Sequence, residues 1–174
     1  MADDHSTPGK QIPLWLALVI GRNPRRTLLR ATCLAAVCYV VFKFVLLPVR
    51  VAGESMEPTY HSGTLNFINA LSYLRSEPQR GDVVGVQLSG RSIMFLKRIV
   101  GLPGETVAFE KGMVKINGQP LDEPYQRNGS KWDRDPERLD PEDYLVVGDN
   151  RSMEMEDHTF GKTKRARIVG RALR

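Results

Sequence analysis

"DVVGVQLSGRSIMFLKRIV", residues 82–100, decides the fold. Two runs rich in β-branched and aromatic residues, 82–88 and 92–100, flank a Ser-Gly-Arg turn, which is the pattern of a hairpin. Alternation in the second run puts Ile93, Phe95, Lys97 and Ile99 on one face and Met94, Leu96, Arg98 and Val100 on the other. Lys97 therefore shares a face with three large apolar side chains. It is either a stem snorkelling at a sheet edge or a desolvated amine. A free lysine amine titrates near about 10.4, and burial without a counter-charge lowers that value. A neutral lysine can take the proton of a serine hydroxyl. Bringing the amine down to about 8 costs on the order of 3 kcal/mol, which a folded β-core can sustain.

Downstream, the same grammar continues. "TVAFE" and "MVKING" flank Lys-Gly as a second hairpin, and residues 144–150 and 166–172 read as further strands. "LPGE" (102–105) is a Pro-Gly turn. The polar, proline-bearing stretch 125–143 reads as a surface loop or excursion. Residues 69–76, "NALSYLRS", are the one helix-like stretch of this region. The expected fold class is mainly β, an antiparallel sandwich or coiled barrel preceded by a single transmembrane helix.

That helix is expected at 28–47, "LLRATCLAAVCYVVFKFVLL". About 20 apolar residues cross a hydrocarbon core of roughly 30 Å as a helix. Arg30 and Lys43 lie near its ends, where long side chains reach the interface. A buried soluble helix is the competing reading, and a uniformly apolar run of this length favours the span. A cleaved signal peptide is disfavoured, because the run starts late and no small-x-small site follows it. Arg22, Arg25, Arg26 and Arg30 crowd the upstream flank, against Lys43 and Arg50 downstream. The positive-inside rule then gives a cytoplasmic segment 1–27, a span 28–47 and an extracytoplasmic β-rich domain 48–174 in the cell membrane. The apolar patch 12–21 is too short to span. It lies in the interface with Trp15 at headgroup depth, or is a local cluster.

The chain has 174 residues, enough for one soluble domain and an appendage. Its net charge of +5 suits nucleic acid or an anionic membrane surface. No zinc-finger spacing, helix-turn-helix or aromatic RNA motif supports a nucleic-acid partner. Cys33 and Cys38 fall inside the apolar run, and His5, His61 and His158 are scattered, so neither a metal nor a cofactor is expected.

A candidate nucleophile precedes the hairpin. In "VAGESMEPTYHSG", residues 51–63, Ser55 follows Leu47 by eight residues. Fully extended, that reaches at most about 26 Å, so Ser55 is expected to work close to the membrane. A turn hydroxyl is the plain alternative. Ser55 and Lys97 are 42 residues apart, so the fold has to bring them together.

Taken in order, "GESMEPT" (53–59), "RGDVVGV" (80–86), "KRIVGLPGE" (97–105), "VVGDNR" (146–151) and "RIVGRA" (167–172) resemble the boxes of type I signal peptidases. These are membrane-anchored serine endopeptidases that remove signal peptides from exported preproteins. The resemblance covers roughly residues 28–172. It implies Ser55 as nucleophile and Lys97 as general base. It also implies shallow pockets for small residues before the cut, and an apolar surface toward the lipid bilayer. The oxyanion is then held by the backbone N–H of Ser55. Some members add a hydroxyl two residues earlier, where this chain has Gly53. With Met56, Gly53 supports the oxyanion and substrate site, while Asp149, Asn150 and Arg151 stand behind it. Plain turn chemistry is the alternative for Asp149, Asn150, Arg151 and Asp82, and for Asp82 it is preferred.

After G-D-N-R the family continues with a serine and then an Asp-Ser-Arg run. Counted without gaps to Gly161, these positions are Glu154, Glu156, Asp157 and His158. A carboxylate near Lys97 would stabilise the ammonium and oppose a base role. Three outcomes are open: Glu154 points away, it is protonated in a dry site, or activity is altered or lost. With a different threading, Ser152 supplies the missing hydroxyl. Two other functions compete with the peptidase. One is a self-cleaving Ser–Lys protein, against which the span and the "KRIVGLPGE" run argue. The other is a catalytically altered or inactive anchored member acting as a binding module.

Overall fold

The structure is a computed structural model. It describes residues 23–89, 93–126, 129–157 and 161–173. The hairpin tip at 90–92, the patch at 12–21, Arg22 and His158 lie outside the described residues. The chain divides into two units, 1–41 and 42–174.

In the first unit, helix α1 spans Pro24–Val40. Pro24 is well placed there, because its missing N–H is one that a first helical turn leaves unbonded anyway. Helical residues continue as wider π turns over Val41–Val45. The stretch Arg25–Val45 is 21 residues long and apolar enough to cross a membrane, a length on the order of 30 Å. The helix thus starts earlier than the expected span 28–47 and stops sooner. Leu46 and Leu47 are not helical but open strand β1.

The second unit is mainly antiparallel β, the class the alternation predicts. One sheet has seven strands in the order β1-β2-β11-β3-β4-β9-β10, and the other has four in the order β7-β6-β5-β8. In the first sheet these are β1 (Leu46–Arg50), β2 (Leu65–Asn69), β3 (Val83–Ser89), β4 (Ile93–Gly101), β9 (Asp143–Val147), β10 (Gly161–Lys164) and β11 (Ile168–Ala172). The second holds β5 (Thr106–Glu110), β6 (Met113–Ile116), β7 (Gln119–Pro120) and β8 (Arg134–Arg138). Val100, Leu145 and Val147 from the first sheet pack with Val107, Phe109 and Val114 from the second. Val84, Val86, Ile99, Tyr144, Val146 and Ile168 form a separate cluster. Leu96 and Val83 belong to a third, with Met56 and Tyr60. Both faces of β3 and β4 are therefore covered, which is why their sequences read as near-continuous apolar runs.

Two local expectations fail. Residues 70–76 form turns rather than a helix. Asn69 Oδ1 accepts the Leu71 N–H at 3.0 Å, and Ser72 Oγ donates to the Asn69 carbonyl at 2.8 Å. Such side-chain bonds compete with helical ones. The stretch 125–143 is not all loop either. It contains β8, paired with β5, and Trp132, buried against Phe109 with ring centroids 5.6 Å apart.

Candidate active site

Two segments meet at Ser55 and Lys97. The first extends the β1–β2 ladder, because the Val51 N–H donates to the Thr64 carbonyl at 2.9 Å and Gly63 donates back to Val51 at 2.8 Å. The chain then turns through Gly53, whose φ of 85° favours a residue without a side chain. Met56 is 1% exposed. With Val51 and Tyr60 it packs on Val83 and Leu96 of β3 and β4. This apolar anchor fixes the Ser55 turn onto the sheet.

Lys97 lies on β4, paired with Val84 of β3. It is 2% exposed, so it is not a stem snorkelling at an edge. Its Nζ stands 2.7 Å from Ser55 Oγ. Burial pulls its pKa down to about 8, against a smaller opposing pull from the Asp149 carboxylate. A neutral amine at that distance can accept the hydroxyl proton.

Strand register places the residues behind the pair. Arg98 pairs with Val147 at the end of β9, so the turn that follows brings Asp149 back to Arg98. Asp149 accepts Arg98 Nε at 2.7 Å and Nη2 at 2.5 Å, and also the Thr59 hydroxyl at 2.5 Å. Asn150 donates its backbone N–H to the Ser55 carbonyl at 3.0 Å and its side-chain amide to the Glu54 carbonyl at 3.2 Å. Arg151 is 1% exposed. It donates Nε to the Gly148 carbonyl at 2.8 Å and Nη2 to Glu123 at 2.6 Å.

Glu154 does not join this group. It is exposed, and the carboxylate whose field reaches Lys97 is Asp149. The loop turns it away because Trp132 Nε1 donates to the Met153 carbonyl at 2.8 Å, and Met155 packs against the core on the far side of Glu154. Ser152 Oγ donates to Asn150 Oδ1 at 2.6 Å. Asp82 accepts the Tyr73 hydroxyl at 2.9 Å and the Gln79 N–H at 3.1 Å, as a turn residue does.

Residue-by-residue reading of the sequence missed Arg98, Thr59, Glu123 and Tyr125. Arg98 carried a signal, since an arginine alternating with Met94, Leu96 and Val100 has to find a buried partner. The other three are joined only by the fold.

Beside Ser55 is a cleft of about 110 Å³, walled by Val51, Ala52, Met56, Met94, Phe95 and Leu96. A larger hollow of about 920 Å³ lies on the second sheet near Thr106, Ala108 and Lys115, and contains neither Ser55 nor Lys97.

Half-buried Ser55 and buried Lys97 thus meet on an antiparallel β scaffold. A family model described as signal peptidase, peptidase S26, matches residues 25–174, and the chain belongs to that family. It is 36% identical to signal peptidase I of Leptolyngbya laminosa over 131 residues, which are 71% of this chain and 64% of that protein. It is 29% identical to signal peptidase IB of Staphylococcus aureus over 153 residues, 78% of this chain and 80% of the relative. The crystal structure of a signal peptidase I from Enterococcus faecalis V583 is similar at 30% identity. Its TM-score is 0.44, over 55% of this chain and 97% of that one.

Proposed function

We propose that the chain is a membrane-bound signal peptidase I that cleaves N-terminal signal peptides from exported preproteins, with Ser55 as nucleophile and Lys97 as general base. The observation that carries this is the 2.7 Å approach of Lys97 Nζ to Ser55 Oγ, made by an amine that burial holds near 8.

In this reading Ser55 Oγ attacks the carbonyl carbon of the scissile peptide bond while Lys97 Nζ takes its proton. The carbonyl oxygen becomes an oxyanion and accepts the Ser55 backbone N–H. Among the described residues, no backbone carbonyl accepts that N–H. The tetrahedral species collapses as the C–N bond breaks, and the Lys97 ammonium returns its proton to the leaving amine. Water, deprotonated by Lys97 Nζ, then attacks the acyl-enzyme, and as the acyl C–O bond breaks the ammonium returns that proton to Ser55 Oγ.

Two further parts belong to the proposal. The cleft beside Ser55 is narrow and, apart from Arg50 and Ser55 itself, lined by apolar side chains, which supports a preference for small residues before the cut. The helix Arg25–Val45 anchors the protein once in the lipid bilayer. Arg25, Arg26 and Arg30 at its start favour a cytoplasmic N-terminus, with residues after 48 outside. The test is incubation of the detergent-solubilised chain with a preprotein. A signal-peptide-sized product that Ser55→Ala fails to form supports the reading. Intact preprotein with the wild-type chain, or equal product with Ser55→Ala, overturns it.

A further inference from the structure

Glu123 is buried, with its side chain 4% exposed. Arg151 Nη2 and Nη1 reach its two oxygens at 2.6 and 3.3 Å, and the Tyr125 hydroxyl donates to it at 2.6 Å. Burial, and next the Glu123 charge, push the Tyr125 pKa up, so this hydroxyl stays protonated and keeps donating. The Tyr125 ring in turn lies 3.9 Å beneath the Arg98 guanidinium. Segment 123–125 is therefore inserted between two buried arginines. One is Arg98, next to Lys97 on β4. The other is Arg151, at the end of the turn whose Asn150 N–H holds the Ser55 carbonyl.

From this geometry we infer that Glu123 is a positioning residue for the dyad. It neutralises Arg151, and so holds the 148–151 turn in the one place where Asn150 can bond Ser55. The inference rests on the roles proposed above for Ser55 and Lys97. A buried ion pair that loses one partner leaves an uncompensated charge. Without Glu123 the Arg151 guanidinium has to leave its burial site, and its Nε bond to the Gly148 carbonyl moves with it. The turn then releases Ser55 from behind. Nucleophile placement suffers, while the β1 and β4 walls of the substrate cleft, Val49, Arg50, Met94, Phe95 and Leu96, stay. The loss therefore falls on kcat rather than KM.

The experiment compares full-length wild type, Glu123→Gln, Glu123→Asp, Arg151→Gln and the Glu123→Gln/Arg151→Gln double variant in detergent, well below the Tm of each. Two readouts are taken, preprotein kinetics and hydrogen exchange of the Asn150 amide. Glu123→Gln should lower kcat by on the order of 100-fold, the cost of a misplaced reacting group, with KM within about twofold. Its Asn150 amide should exchange faster. Glu123→Asp, which keeps the charge and the fold, should lose less. The double variant should be no slower than Arg151→Gln alone, because Glu123 acts through Arg151. A folded Glu123→Gln with wild-type kcat and wild-type Asn150 exchange overturns the inference, even if its Tm falls. If the wild type cleaves no preprotein, the proposed function fails, and the exchange readout alone still decides whether Glu123 holds the turn.

Discussion

Asp149 grips Arg98 through both carboxylate oxygens, at 2.7 and 2.5 Å. The carboxylate that would otherwise keep Lys97 protonated is thus bound to a permanent cation. Its pull on Lys97 is the smaller effect, and burial prevails. Arg98 in turn shows the opposite balance. Burial works to lower its pKa, but the Asp149 hydrogen bond and charge outweigh burial and raise it.

Asp149→Asn should therefore act twice. Removing one partner of a buried pair costs about 3–5 kcal/mol, read as a lower Tm. In molecules that stay folded, Lys97 loses the upward pull of Asp149 and gains an unneutralised Arg98 nearby. The activity limb assigned to the lysine should move to lower pH. A limb that stays in place or moves up would show that Asp149 does not act on Lys97 by charge.

Lys97→Met should stabilise the domain near neutral pH. The folded lysine has a pKa lowered from 10.5 to about 8, so the native state binds its proton less well than the unfolded chain. Below about pH 8 both states carry the proton, and the folded state bears a full cost of about 3 kcal/mol. That cost fades as pH rises from about 8 to 10.5 and is absent above. Urea unfolding of both proteins across this range should show the difference shrinking upward. A constant difference would place Lys97 in a solvated setting.

Glu154→Ser should leave the lysine limb where it is. The side chain is exposed and Asp149 is the carboxylate acting on Lys97. A pH–rate profile of the variant checks this, and a limb that moves by about one unit, worth about 1.4 kcal/mol, would contradict the loop as described.

Protease added to right-side-out vesicles should digest residues after 50 and spare the N-terminal segment. Protection of the β domain with an accessible N-terminus would reverse the proposed topology.

Much of the β domain was legible in the sequence. β3, β4, β5, β6, β9 and β11 announce themselves through alternation or apolar runs bounded by glycine and proline. The strands missed are β1, β2, β7, β8 and β10. β1 contains Pro48, and β8 reads Arg-Asp-Pro-Glu-Arg. Both sit at sheet edges, where proline is tolerated and apolar alternation is not needed. At the site, Ser55 and Lys97 were singled out by a turn box and by a lysine in an apolar alternation. Glu123 was not, because its partner Arg151 lies 28 residues away and no local period links an acid in a loop to an arginine in a turn. Which way Glu154 points was left open for a related reason. Ungapped counting aligns positions, but the anchoring of Met153 and Met155 decides where the side chain between them points.

The central claim is that Lys97 is held ready to be neutral beside Ser55, and its own titration tests that most directly. Lysine Nζ shifts, followed by NMR on the folded protein and assigned by comparison with Lys97→Met, should show one amine titrating near 8. A Lys97 resonance that titrates near the ordinary value of about 10.4 would contradict the account.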